Sequence, residues 1–314
     1  MTTLNQHSAR VIDPVLSGIA LGYTHAQRVG HKLFPAVPVT ARGGQVIEFG
    51  KESFQKYQAV RAPGANTKRI QVGYQGRPFS IVGNALDATV PREFAEDANT
   101  VPGIDLGTRA TNTVMYAMTL ALEIEHAKLA SDPASYPVVN RMALAGSDRW
   151  DNPASDPEAD IDAAKDQVRG SCGLDPNILV IPKLGLKALK RHPKIKEQFK
   201  YTQSGSITAE MLASYFDVEE VVVGSATYTE ETDENKFHDV WGNAAMLAYV
   251  PTKDRAVENP SFGYTYTLKG HPFVEPPRWD GDTKSWVYGV SYERAPVVTG
   301  MASGFLFQTP FTVA

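Results

Sequence analysis

The sequence predicts a mixed α+β chain: an arm and a long hairpin come first, then one long helix, an α/β middle and a closing antiparallel sheet. Three observations predict it. Apolar residues recur every three to four positions from Ile104 to Ala130, the spacing of an amphipathic helix. Short helical stretches then alternate with apolar runs of strand length. From Phe262 onward the pattern alternates residue by residue, as half-buried strands do. With 314 residues, 42% of them hydrophobic and 21% charged, the chain holds one large or two ordinary domains and has enough apolar side chain for a real core.

Residues 1–40 read as an arm, because Pro14, Gly18, Gly22, Gly30, Pro35 and Pro38 interrupt every periodic run. Such a segment has little core of its own and is expected to lie on something else. Residues 44–82 read as a long hairpin, with strands at Gln45–Phe49 and Ile70–Tyr74 and a turn-rich tip around Pro63-Gly64-Ala65-Asn66. A ribbon of two strands is marginal alone and needs a partner. In the long helix the expected stripe is Leu106, Ala110, Val114, Ala117, Ala121, Ile124 and Lys128, widened by Met118 and Leu122. Asp105 is its expected N-cap, and Pro102 and Pro133 bracket it. A rod of about 25 residues is ~38 Å long.

The Pro- and Asp-rich stretch 148–158 reads as a junction, followed by a short helix over Asp160–Arg169. Asn177–Ile181 is a wholly apolar strand, and short basic helices follow over Lys183–Arg191 and Lys194–Phe199. Thr208 caps a helix through Tyr215, and Val218–Val223 reads as a second strand. Residues 237–250 are apolar and small. Tyr264–Leu268, Trp286–Val290, Ala295–Val298 and Gly304–Phe307 are expected to form one antiparallel sheet.

Charge excludes several classes of function. The formal net charge is −4, unlike that of a protein that coats nucleic acid by displacing its counterions. Its distribution is uneven: segment 42–77 holds seven of the 31 lysines and arginines but only Glu48 and Glu52 of the 35 acidic residues. Acidic stretches lie at 148–166 and 217–239. A basic arm and acidic patches on one chain suit head-to-tail self-association. The single Cys172 excludes a disulfide framework within the chain. There is no apolar run of membrane-spanning length and no signal-peptide pattern, so a soluble protein of a reducing compartment, without membrane contact, is expected.

Catalytic signatures are missing. The chain has no phosphate-binding glycine loop, dinucleotide fingerprint, nucleophile elbow or paired-histidine metal helix. Glu123-Ile-Glu125-His126 places carboxylates and an imidazole within one helical turn, but a di-iron bundle needs a second such pair and two further glutamates. His126 therefore reads as a helix-face residue, and Cys172 as a small residue at a helix end. Trp150, Trp241, Trp279 and Trp286 do not alternate with basic residues as a base-stacking platform would, and read as core or interface anchors. No catalytic residue, cofactor or metal is expected.

Several local phrases, in this order, carry a resemblance. Ser17-Gly-Ile-Ala-Leu-Gly-Tyr23 precedes Lys32-Leu-Phe-Pro-Ala-Val-Pro38. Then come His192–Phe199, Ile207–Phe216, Val221-Val-Val-Gly-Ser-Ala226, Asn243–Tyr249 and the closing Gly304-Phe-Leu-Phe307. The chain resembles the major capsid proteins of tailed bacteriophages, which have the Hong Kong 97-type coat fold. The resemblance implies an N-terminal arm (1–41), an extended loop overlapping a neighbour (42–87), a peripheral domain with the spine helix (88–154) completed by a return (251–314), and an axial domain (155–250). It implies self-assembly into pentamers and hexamers of an icosahedral shell enclosing double-stranded DNA, located in the virion capsid and assembled in the host cytoplasm. The partners implied are the chain itself, a portal, possible scaffolding or decoration proteins, and packaged DNA held without sequence-specific binding.

Lys51, Lys56, Arg61, Lys68 and Arg69 of the extended loop are the candidate intersubunit contacts. Some members weld subunits by a Lys–Asn isopeptide; Lys51, Lys56 and Lys68 could supply the amine here, but no asparagine follows Asn259, and Asn140 and Asn152 remain in places less suited to the weld. Two rival readings are a bacterial nanocompartment shell, which shares the fold but encloses enzymes, and a soluble α/β enzyme.

Overall fold

A computed structural model describes residues 12–46, 60, 76, 78–99, 105–200, 206–230, 232–252 and 261–312. In chain order the elements are α1 (Pro14–Gly22), β1 (Ala36–Val39), β2 (Gly43–Gln45), β3 (Pro78–Ser80), β4 (Val82–Pro91), α2 (Arg92–Asn99), α3 (Leu106–Ser131), β5 (Arg141–Ala143), α4 (Pro157–Cys172), β6 (Ile178–Pro182), α5 (Lys183–Leu189), α6 (Pro193–Phe199) and α7 (Ala209–Tyr215). They continue as β7 (Glu220–Gly224), β8 (Thr227–Glu230), β9 (Asp233–Asp239), β10 (Ala244–Ala248), β11 (Gly263–Leu268), β12 (Phe273–Val274), β13 (Arg278–Asp280), β14 (Ser285–Val298) and β15 (Gly304–Gln308).

The six-stranded sheet is organised by β14. Along one edge it pairs with β4 over ten positions, from Ser285↔Pro91 to Arg294↔Val82. Along the other it takes β11, β12 and β13 in turn, and β1 adds to β11 in parallel. The runs expected as two strands, Trp286–Val290 and Ala295–Val298, are thus one strand that contains a proline. Thr265, opposite Pro296, donates its N–H to Pro35 O on the β1 side. Pro296 therefore sits in a non-hydrogen-bonded pair, and the N–H it lacks points to the edge that β4 no longer covers.

The second sheet has the order β5-β15-β10-β6-β7. Here the expectation of a single late sheet is corrected: Gly304–Phe307 leaves the first sheet and pairs with β10 antiparallel and β5 parallel. Both sheets accept an alternating apolar strand, so pattern alone does not choose between them. Central strands β6 and β10 are buried on both faces. Leu179, Ile181, Ala245, Leu247, Phe305 and Phe307 meet the helices α4 to α7, while Val180, Met246, Ala248 and Leu306 meet α3 and the arm.

α3 begins where expected, with the Asp105 carboxylate accepting from Gly107 N at 2.9 Å, but its buried face differs. Ala117, Ala121 and Lys128 are exposed, and Thr111, Met115, Glu123, His126, Ala127 and Ala130 are buried. A hydropathy stripe passes over polar residues that the core takes in with their partners. α4 is longer than expected, starting at Pro157 behind the Asp156 cap and ending at Gly173 in the left-handed conformation. The arm is also more ordered than its glycines and prolines suggested. Asp13 caps α1, Pro14 occupies the first turn where a missing N–H costs nothing, and Leu16 and Ala20 pack on Val114, Met115 and Met118 of α3. Leu33 and Phe34 are fully buried, so from Asp13 onward the arm lies on its own chain.

Candidate assembly surface

The arm is fastened to α3 by a buried clasp. The Glu123 carboxylate accepts from Val29 N and Gly30 N, each at 2.9 Å, and from Trp241 Nε1 at 2.7 Å. One turn on, His126 lies parallel to Phe34, with ring centroids 5.0 Å apart, and its Nε2 is 2.8 Å from Thr265 Oγ1. Burial, then the charges of Arg294 and His31, push the His126 pKa down to about 3, so the ring is neutral. A Cβ on Gly30 would come within 2.3 Å of His126 Nδ1, which is why glycine stands there. The Glu123–His126 pair that resembled half a metal site is thus a structural joint. Among the described residues, no group of three or more His, Cys, Asp and Glu is placed to hold a metal ion, and no helix is long and apolar enough to cross a membrane.

The hairpin's base is rooted in the first sheet. β2 and β3 pair from Gly43↔Ser80 to Gln45↔Pro78. Phe79 stacks on Tyr266 with centroids 4.4 Å apart, and Val46 and Ile81 join Val37, Tyr264 and Ala295. The Arg42 guanidinium donates from Nε and Nη2 to the two oxygens of Glu293, both at 2.7 Å. That hydrogen-bonded fork, ahead of other influences, holds the Glu293 carboxyl below the usual carboxylate range. The expected strands Gln45–Phe49 and Ile70–Tyr74 fall, except for Gln45 and Val46, outside the described residues, as do Lys51, Lys56, Arg61, Lys68 and Arg69.

Elsewhere the chain leaves large apolar side chains uncovered. Phe94 on α2 is 64% exposed and Phe237 on the β8–β9 ribbon 73% exposed. Val15 and Leu21 face outward from α1, as Val138 and Val139 do beyond α3. Trp279 and Trp286 form an exposed cross-strand pair, 5.4 Å apart and edge to face, whereas Trp150 and Trp241 are core. Asn140 is fully buried. Its amide nitrogen donates to Ala302 O and Gly304 O, and its oxygen accepts from Ser171 Oγ, so the side chain is engaged within its own core and shielded from a lysine outside it.

Comparison with known proteins agrees with this architecture. The family model described as phage major capsid protein E matches residues 137–295, just over half of the chain. The major capsid protein of Burkholderia phage BcepMu is 36% identical over 276 residues, covering 87% of this chain and 88% of that protein. A crystal structure of a phage-related protein from Bordetella bronchiseptica is 50% identical, with a TM-score of 0.83 over 96% of this chain and 98% of that one. The encapsulin of Synechococcus elongatus, 12% identical with a TM-score of 0.51 over 98% of this chain and 91% of that one, shares the fold alone. With two sheets, a spine helix and a rooted hairpin in the Hong Kong 97-type arrangement, the chain belongs to the family of phage major capsid proteins.

Proposed function

We propose that copies of this chain assemble as pentamers and hexamers into a closed icosahedral shell, in the host cytoplasm, that is filled with double-stranded DNA. The observation that supports this most is the large apolar side chain left uncovered at separate places, among them Phe94, Val138, Phe237 and Trp279. Val138 with Val139 and Trp279 with Trp286 put exposed apolar side chains side by side, and burial against neighbours removes such patches from water. The net charge of −4 suits a container filled by a motor better than one that condenses DNA by neutralising phosphates. A portal, DNA held without sequence preference, and separate scaffolding or decoration proteins complete the proposed set of partners.

In this reading 1–41 is the arm, 42–87 the extended loop, 88–154 with 251–314 the peripheral part and 155–250 the axial part. β5 and β15 carry the peripheral chain into the sheet of β6, β7 and β10, so the two parts share a core. Lys51, Lys56, Arg61, Lys68 and Arg69 are proposed to meet acidic surface on a neighbour. Negative-stain microscopy of the purified chain, with and without co-expressed scaffold, tests the assembly. Capsomers or shells are expected, and a protein dispersed as monomer under every condition would refute it. Mass spectrometry and nuclease treatment of shells isolated from infected cells identify the contents: DNA is expected, and packaged enzyme would mean a nanocompartment.

A further inference from the structure

Two surfaces of opposite charge stand at the same end of the second sheet. β6 and β7 are parallel neighbours, paired from Ile178↔Glu220 to Pro182↔Gly224. α5 starts where β6 ends, and the β8–β9 ribbon leaves where β7 ends. The stretch 183–200, which holds α5 and α6, has seven lysines and arginines against Glu197 alone. The stretch 227–239, which forms the ribbon, has five acidic residues against Lys236 alone.

On the basic side, Lys183 and Lys187 are exposed one turn apart on α5, and Arg191 is exposed just past its end. These three form no ion pair among the described residues, whereas the neighbouring Lys194 is paired with Asp156 at 2.8 Å. On the acidic side, Glu230 and Asp239 are exposed and likewise form no ion pair among the described residues.

The ribbon has an apolar side chain to cover as well. Phe237, 73% exposed, and Asp239 are two apart on β9 and so share a face. Tyr228 and His238 pack together on the other face, with ring centroids 5.6 Å apart. The ribbon is a two-stranded sheet by itself, a form that is marginal without something to pack on. No hydrogen bond or ion pair among the described residues joins it to the lysines of its own α5.

We propose that the β8–β9 ribbon of one copy lies on the α5 face of the next copy around a ring, its carboxylates meeting Lys183, Lys187 and Arg191. Every copy carries both surfaces, so the contact is head to tail, and a head-to-tail contact that closes makes a ring. Because both surfaces stand at one end of the sheet, rotation about an axis past that end brings the ribbon of each copy to the helix of the next. Lysine suits such a face: its alkyl stem covers the Phe237 ring while its ammonium stays with the carboxylates. A second copy fits the basic face better than DNA does, because the ribbon supplies both the opposite charge and an apolar side chain that phosphates would leave in water. The proposal rests on the assembly reading above.

Charge reversal with rescue tests it. Lys183→Glu with Lys187→Glu, and separately Glu230→Lys with Asp239→Lys, change exposed side chains and should leave the melting of the free subunit as in the parent. Each pair alone is expected to give about tenfold less shell at equal subunit concentration, because like charges then face each other. The two pairs combined are expected to restore most of the parent's yield. A combined variant no better than either pair, or either pair assembling like the parent, would overturn the proposal. So would lysine-reversed shells that form normally and hold less DNA. A parent that forms no shell refutes the assembly reading itself. If a reversed subunit does not fold, a cryo-EM map of the parent shell decides. A ribbon carboxylate of one copy is expected within about 4 Å of a Lys183, Lys187 or Arg191 nitrogen of its neighbour, and its absence would overturn the contact.

Discussion

At the scale of the residue, the joint between arm and α3 is where single substitutions act most strongly. Glu123→Ala leaves the donors on Val29, Gly30 and Trp241 without an acceptor in a dry site. At roughly 1–3 kcal/mol for each unsatisfied group, a loss of at least ~3 kcal/mol in urea-measured stability is expected. His126 adds a dependence on pH. Its native pKa, about 3, lies below the ordinary value of 6.5, so between these two values the unfolded chain binds the proton and the native chain does not. Stability from this group is full above about pH 6.5 and drains away as pH falls towards 3, by several kcal/mol in all. Urea titrations of the parent and His126→Gln at pH 7 and pH 4.5 measure it. The parent should lose more on acidification, and equal losses would mean that the ring is protonated in the native state.

At the scale of the element, α3 separates surface from core in a way that hydropathy alone misassigns. Ala117→Leu points into solvent and is expected to change stability by no more than about 0.5 kcal/mol, since leucine is only slightly poorer than alanine as a helix former. Ala130→Leu places the same atoms beside Leu33, Phe34 and Tyr136 in a packed cluster and should cost roughly 1–3 kcal/mol. Thermal melts of the two variants as free subunits settle which face is buried. A common response to both would mean that the helix is rotated. The hairpin base behaves as an element too: its ion pair is solvent-exposed on the Arg42 side and screened by water, so the apolar contacts of Phe79, Ile81 and Val46 carry the anchoring.

At the scale of the whole molecule, the uneven charge is the feature that the proposed loop contact would put to use in assembly. Reversing Lys51, Lys56 and Lys68 together to Glu turns segment 42–77 from a net +5 to a net −1 without touching the described core. A surface ion pair of the proposed kind would contribute only about 0–1 kcal/mol, yet it would recur in every subunit of a shell. With a screening length of ~8 Å at physiological salt, the triple variant should form intact subunits, assemble poorly at low salt and approach the parent at high salt. Light scattering across ionic strength follows this directly. Assembly equal to the parent at every salt concentration would reduce those lysines to solvation.

Local signals in the sequence settled much of this protein without help from the fold. The Asp105 and Thr208 caps, the start of α3 and the apolar strands β6 and β7 were all legible. They depend on capping side chains and on periods that neighbouring residues set among themselves. The order of local phrases was enough to indicate a coat protein. Only the tertiary structure decided the partners: which sheet Gly304–Phe307 joins, that β14 runs unbroken through Pro296, and that Ala117 faces water while Glu123 and His126 face the core. The reason is physical. An alternating strand fits any sheet with an open edge, an alanine stripe is apolar whichever way it turns, and a buried carboxylate is tolerable only once distant N–H groups have been brought to it. Those groups, on Val29, Gly30 and Trp241, lie some 90 to 120 residues from Glu123 in sequence, and no local pattern connects them.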